Sequence, residues 1–211
     1  YAGDITRSGS KAEYQLIDER IVGHKPINLS VPEAAAMPLT SLTAYEALFD
    51  RIRIDPEKDS GKSVLIIAGA GGVGSIAIQL AKKLCNLTVI ATASREDSIT
   101  WCKDLGAVVN HHNLKEELEQ IGHSQVHYIL DFVDLEGYWE LSTDIIKPQG
   151  HIVSITGSSK PLNLNLLKNK SVTFSWEFMY TRSMFNTEDI ERQHEILNHM
   201  AHLLDEGILK T

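Results

Sequence analysis

The sequence predicts an α/β fold: a doubly wound parallel sheet of about six strands. Three observations predict it. Val64 to Ala68 is a short apolar run rich in β-branched residues, the pattern of a strand buried on both faces. The chain then turns through Gly69, Gly71, Gly72 and Gly74 into a stretch where Val73, Ile76, Ala77, Leu80, Ala81 and Leu84 fall at helical spacing. From Ser63 to Glu177 strand-like and helix-like segments alternate, the order that gives parallel strands joined by crossover helices.

The elements are justified in order. Gly9 to Ile17 reads as a turn feeding a strand, with Arg20-Ile21-Val22 as another short one. So short a segment buries no core by itself, and residues 1–25 are expected to be the tail of a preceding domain, with 26–211 as the second domain. Ser30-Val31-Pro32-Glu33 is a helix start, with Ser30 as cap, proline in the first turn and glutamate at the third helical position. Pro38 is expected to begin a new helical run, from Leu39 to Ile52. Asp59 to Lys62 is a turn before the central strand. Strands follow at Leu87–Thr92, Ala107–Asn110, Val126–Asp131, His151–Thr156 and Ser171–Glu177. Helices are expected at Asp97–Leu105, ended by Gly106, and at Leu114–Ile121, ended by Gly122. A third spans 135–146, stopped by Pro148 and Gly150. A long amphipathic helix runs from Thr187, its expected cap, to Asp205, and Gly207 ends it.

The glycine turn carries the chemistry. Gly69-x-Gly71-x-x-Gly74 lies between a strand and a helix, the context in which this spacing reads as a dinucleotide site. Gly69 is expected to permit the tight turn, Gly71 to let a pyrophosphate approach the backbone, and Gly74 to let the helix pack close. The helix N-terminus adds unpaired N–H groups and partial positive charge. The bland alternative is a glycine-rich turn with no ligand. Ligands in such sheets bind at the carboxyl ends of strands, so the tips near Gly69, Ser94, Phe132 and Thr156 should line one crevice. An NAD site usually places a carboxylate at the tip of the second strand. Here Ala93-Ser94-Arg95 stands there, a hydroxyl and a guanidinium that suit a 2′-phosphate, so NADP(H) is the expected cofactor. The alternative for Arg95 is an ion pair with Glu96 or Asp97.

Composition bounds the partners. The 211 residues are 43% hydrophobic and 23% charged, ordinary for a globular chain. A net charge of -8 argues against nucleic acid as a partner. No apolar run is long enough to span a bilayer, so no membrane role is expected. The two cysteines, Cys85 and Cys102, make no disulfide framework, which points to a reducing compartment and a cytoplasmic location. The chain begins with Tyr1 rather than Met and reads as an internal or processed piece of a longer protein.

Four motifs together resemble the medium-chain dehydrogenase/reductase superfamily, in its quinone oxidoreductase-like branch and the subgroup often labelled zinc-type alcohol dehydrogenase-like. They are Gly9 to Tyr14, Glu33 to Ala47, Ala68 to Gly74, and Ala91 to Arg95 with Leu105 to Ala107 downstream. Ser175 to Phe185 looks like the subgroup's own signature. The resemblance covers nearly the whole chain. It implies a Rossmann domain carrying a remnant of an N-terminal β-rich, GroES-like catalytic domain, most of whose substrate pocket lies outside this chain.

The resemblance also implies roles. Gly71, Gly72 and Val73 match the pyrophosphate loop, and Ser94 and Arg95 the 2′-phosphate contacts. Thr43 matches a residue beside the nicotinamide, the alternative being ordinary helix chemistry. Thr156 and Gly157 match the strand end below that ring, and Phe178 and Met179 the loop closing over it. Catalytic residues are not identified within the chain. Zinc-dependent members carry a cysteine ligand where Leu39 stands here, and Glu195 with His199, four apart on one helix, lacks further ligands, so no metal is expected. The implied activity is zinc-independent hydride transfer from NADPH to a quinone, enone or other carbonyl. The rivals are a zinc-dependent alcohol dehydrogenase and a nucleotide-binding protein without catalysis. A short-chain dehydrogenase would need Tyr-x-x-x-Lys, which none of the six tyrosines begins. Relatives pair the edge strands of their sheets, implying a homodimer through Val172 to Trp176.

Overall fold

The structure, a computed structural model, describes residues 1–7, 9, 13–105, 107–109 and 113–211. Two compact units are present: Glu46–Glu177, and the two segments Tyr1–Tyr45 and Phe178–Thr211 taken together.

The Glu46–Glu177 unit is built on one parallel sheet of six strands. These are β1 (Ser63–Ile67), β2 (Thr88–Thr92), β3 (Ala107–Val109), β4 (Val126–Asp131), β5 (Ile146–Ser154) and β6 (Thr173–Trp176), in the order β3-β2-β1-β4-β5-β6. The crossovers carry α2 (Gly72–Lys83), α3 (Glu96–Leu105), α4 (Leu114–Gln120), α5 (Leu135–Ile145) and α6 (Asn165–Lys168). The order reverses between β1 and β4, so their carboxyl ends open the crevice that doubly wound sheets use for ligands. Every residue of β1 is buried. Leu65, Ile67, Ile90, Ile129 and Ile152 from four adjacent strands join Leu118, Leu135 and Trp139 in one core, each such side chain contributing about 1.5–3 kcal/mol. Trp139 meets Phe174 edge to face at 5.5 Å.

Ahead of β1, Glu46–Ile52 is a π-helix. Its Arg51 donates from Nε to buried Glu177 at 2.8 Å and lies 3.6 Å from buried Glu46. These are the two end residues of the unit.

The other unit holds a 3-10 turn at Glu19–Ile21, α1 (Val31–Tyr45), α7 (Thr181–Phe185) and α8 (Arg192–Asp205). Gly23 sits against α8 so closely that a Cβ there would lie 2.4 Å from that of Leu197. The reciprocal cap at the start of α1 forms as expected: Ser30 donates to Glu33 from N at 2.9 Å and from Oγ at 2.6 Å, and the Glu33 N–H points back at Oγ.

Several expectations need correction. Arg20-Ile21-Val22 is not a strand, because Asp18 accepts from the Arg20 N–H at 2.9 Å and winds the segment into the 3-10 turn. Glu13 to Ile17 form no strand either, having no strand partner among the described residues. The remaining residues of that stretch, 10 to 12, Gly106 as a helix end and Asn110 as a strand end lie outside the described residues. Pro38 does not restart a helix. It sits inside an unbroken α1, where the Thr40 hydroxyl donates to the carbonyls of Ala36 and Met37. Pro148 and Gly150 do not stop α5 but lie within β5, which starts at Ile146. The β4–β5 register shifts between Val126 and Tyr128 to absorb them, with Gln149 at φ 62°. The Lys170 ammonium satisfies the open carbonyls where α5 ends, donating to those of Thr143, Asp144 and Ile146. Thr187 does not cap α8, which begins at Arg192. Its hydroxyl donates to Asp189 at 2.7 Å in the turn before.

Two predictions follow from this packing. A Cβ at Gly74 would lie 2.4 Å from the Ala68 carbonyl oxygen and 2.7 Å from that of Gly69. Gly74→Ala should therefore lower the urea unfolding free energy by about 1–3 kcal/mol, whereas Gly157→Ala, with open space around it, should stay within about 0.5 kcal/mol of the parent. Burial pushes His151 in β5 down to about 4. The unfolded chain takes up that proton near 6.5 while the folded state resists it, so this stabilisation is complete above pH 6.5 and lost as pH falls toward 4. Burial, then Lys147 and Lys62, lower His127 in the same sense. Thermal unfolding between pH 7 and pH 5 should show the decline, and His151→Gln should flatten it.

Candidate functional site

The turn from β1 into α2 is set by steric limits. Ala68 has φ 65°, so the left-handed residue of the turn is Ala68 and not Gly69. Gly69 is needed for another reason: a Cβ there would lie 2.6 Å from the Cβ of Ala91 on β2. Thr92, at the end of β2, holds both residues. Its Oγ1 accepts from the Ala68 N–H at 2.9 Å and its carbonyl from Gly69 at 3.0 Å. Gly71 then starts the helix at φ -68° with no side-chain cap. The N–H groups of Gly72 and Val73 have no acceptor within the helix and lie at the positive end of its dipole, whereas the Ser75 N–H donates to the Gly71 carbonyl at 2.8 Å. Trp101 of α3 steadies this turn by donating to Ser75 Oγ at 2.8 Å.

A cleft of about 380 Å³ opens over this turn, lined by Ala68, Gly71, Ser94, Arg95, Val133 and Tyr138 among others. Of the expected residues it brings together Gly71, Ser94 and Arg95. Gly69, Gly72, Val73 and Gly74 form the loop and helix start behind it. Arg95 is exposed, and no ion pair among the described residues joins it to Glu96 or Asp97. Phe132 does not line the cleft; its neighbour Val133 does. Thr156 and Gly157 lie at the end of β5 outside it, Thr156 Oγ1 accepting from the Leu135 N–H at 3.2 Å. Thr43, Phe178 and Met179 belong to the other unit. There the Thr43 hydroxyl donates to the Leu39 carbonyl at 2.8 Å, Phe178 is exposed, and buried Met179 accepts at its carbonyl from Gln193 at 2.6 Å.

Two residues escaped the sequence reading. Tyr138 lines the cleft, its phenol pushed up by burial and by the nearby Asp131 and Asp134 carboxylates. Asp131 at the tip of β4 is 1% exposed. Its Oδ1 accepts from the N–H groups of Val133 at 3.0 Å and Asp134 at 3.1 Å, while burial pushes the carboxyl up. The Asp131-Phe-Val-Asp134 spacing of carboxylates around a helix start was the available signal.

The N-termini of α2 and α5 differ. At α5 the N–H groups of Val133, Asp134, Leu135 and Gly137 all go to side-chain oxygens, of Asp131, Thr156 and Asp134. At α2 no side chain caps the end. The helix start beside Arg95 is therefore left open to the crevice, with the geometry that suits an anion. Both cysteine thiols are buried and pushed up, Cys85 to about 11, so neither is poised to ligate or attack. Among the described residues no three His, Cys, Asp or Glu side chains could hold a metal ion together. Glu195 is exposed, and the His199 ring packs edge-on against Tyr45 at 5.8 Å. The described residues of the cleft fit a dinucleotide pyrophosphate, and none of the described groups fits a zinc ion.

A family model described as zinc-binding dehydrogenase matches residues 72–195. A zinc-type alcohol dehydrogenase-like protein of Staphylococcus epidermidis is 45% identical over 98% of the chain and 63% of its own length. The chloroplastic NADPH-dependent alkenal/one oxidoreductase of Arabidopsis thaliana is 34% identical over 72% of the chain and 37% of its own length. Among solved structures, a Rhizobium etli protein provisionally assigned as a zinc-dependent alcohol dehydrogenase has a TM-score of 0.92 at 43% identity, over 99% of this chain and 62% of that one. Escherichia coli quinone oxidoreductase complexed with NADPH has a TM-score of 0.73 at 29% identity, over 88% and 56%. The chain thus spans less than two thirds of the length of each.

Proposed function

This chain belongs to the zinc-binding dehydrogenase family, within the medium-chain dehydrogenase/reductases, and on that premise we propose that it is the NADP(H)-binding part of a zinc-independent oxidoreductase acting on a quinone, enone or other carbonyl. The observation that carries the cofactor half is the uncapped start of α2 beside the exposed guanidinium of Arg95, both on one cleft. The first-turn N–H groups would take the pyrophosphate and Gly71 would let it approach. Ser94 and Arg95 would take the 2′-phosphate, Arg95 through its fork of donors. NADPH bound there would supply a hydride, two electrons with one proton, and a second proton from water would complete reduction of the acceptor.

The substrate half draws on relatives that act on alkenals, enones and quinones. Zinc independence draws on Leu39 and on the lack of a ligand group among the described residues. We place the residues that polarise the acceptor in segments outside this chain. Thr43, Phe178 and Met179 we assign to the nicotinamide end, with Thr156 and Gly157 beneath the ring. In the same reading residues 1–25 are the tail of a catalytic domain, 26–211 the cofactor domain, and the protein works in the cytoplasm as a homodimer paired through β6, whose Trp176 is half exposed.

Titration of the protein with NADPH and NADH tests this. NADPH should bind more tightly, and Arg95→Ala should cut that preference by about 10- to 100-fold, as loss of a charge-assisted hydrogen-bond pair does. Binding of neither nucleotide would overturn the cofactor assignment. NADPH binding without oxidation by any quinone or enone would overturn the substrate half, and stoichiometric zinc in the purified protein would overturn zinc independence.

A further inference from the structure

Between β5 and α6 the chain runs from Ile155 to Leu164 without regular structure. Apolar packing does not order its middle: Gly157 and Ser159 are exposed, and nothing lies within 4 Å of where a Gly157 Cβ would be. Hydrogen bonds order it instead, and they converge on one atom. Glu136 Oε1, in the first turn of α5, accepts from the hydroxyls of Ser158 at 3.2 Å and Ser159 at 2.6 Å, from the Lys160 N–H at 3.0 Å and from the Ser159 N–H. The Lys160 ammonium lies 3.7 Å from Oε2. The preceding residue of α5, Leu135, donates its N–H to Thr156 Oγ1. One helical turn thus grips the loop on both sides of Gly157.

Helix stability does not account for Glu136. The cap of α5 is Asp134, which accepts from Gly137 at 3.0 Å, and the Glu136 carboxylate turns away from its own helix into the loop. Ser158 and Ser159 with the Ser159 and Lys160 amides make a small nest of donors of the kind that holds anions, filled here by the chain's own carboxylate. Those donors hold that carboxyl down at about 2, so it is ionised throughout the neutral range.

We propose that Glu136 is a positioning residue that fixes Thr156 and Gly157 as the floor beneath the nicotinamide ring. This rests on the cofactor reading given above. A ring held for hydride transfer needs a surface that does not yield, and a misplacement on the order of 1 Å is costly. Glu136 acts through Ser158, Ser159 and Lys160, the residues that follow Gly157.

The test uses two ligands that share the adenosine, 2′-phosphate and pyrophosphate but differ at the nicotinamide: NADPH and 2′-phospho-ADP-ribose. Glu136→Ala should weaken NADPH binding about tenfold, the cost of leaving several donors unsatisfied, and leave 2′-phospho-ADP-ribose binding unchanged. Glu136→Gln, whose amide oxygen still accepts from the loop, should recover most of the loss. Should Glu136→Ala fail to fold, Ser159→Ala removes one donor and should show a smaller loss, again for NADPH only. Equal losses for both ligands, or none for either, overturn the proposal. A wild-type protein that binds neither ligand overturns the dinucleotide reading and this proposal with it, whereas wild-type binding with indifferent Glu136 variants overturns the proposal alone.

Discussion

The doubly wound unit depends on one close approach. The first turn of α2 lies so near the backbone of the β1–α2 turn that Gly74 has no room for a single carbon, and Gly69 is pressed as hard against β2. Those contacts, together with the two hydrogen bonds that Thr92 accepts from Ala68 and Gly69, bring the start of α2 to the carboxyl edge of β1 and β2. Strand order then brings the β4 tip to the same edge. A dipole and a set of unused N–H groups are thereby delivered to a crevice, and the remaining side chains only have to leave them open.

That openness is selective. Of the helices that begin near the strand ends, α2 and α5 have been treated in opposite ways. The start of α5 is closed by Asp131, Asp134 and Thr156, and so serves as scaffold. The start of α2 carries glycines where a serine or aspartate would cap. The same backbone feature is closed in one place and left open in the other, and neighbouring side chains decide which.

Legibility in the sequence followed the range of the interactions. The β1–turn–α2 element was readable because the Gly74 contacts lie within twelve residues and glycine spacing encodes them, although the left-handed residue proved to be Ala68 and the contacts of Gly69 with β2 lie beyond that window. The six strands were readable from apolar runs. The start of β5 was not, since Pro148 and Gly150 read locally as breakers and only the register with β4 shows how the sheet absorbs them. The lysine at the end of α5 lies 24 to 27 residues beyond the carbonyls it serves. Glu136 was invisible for the same reason, its partners lying 22 to 24 residues away. Ser94 and Arg95 could be placed at a strand tip by alternation alone, whereas the assignments of Thr43, Phe178 and Met179 came only through resemblance.

Arg51 has a consequence of another kind. By engaging Glu46 and Glu177 it ties the first residue of the doubly wound unit to the last. The 132 residues from 46 to 177 leave and return at one spot, so in topology they are an insertion with adjoining ends. Such a module can be spliced into a host chain without stretching it. Chain order interleaves the two units, while the contacts of Arg51 let the larger one behave as a self-contained cassette.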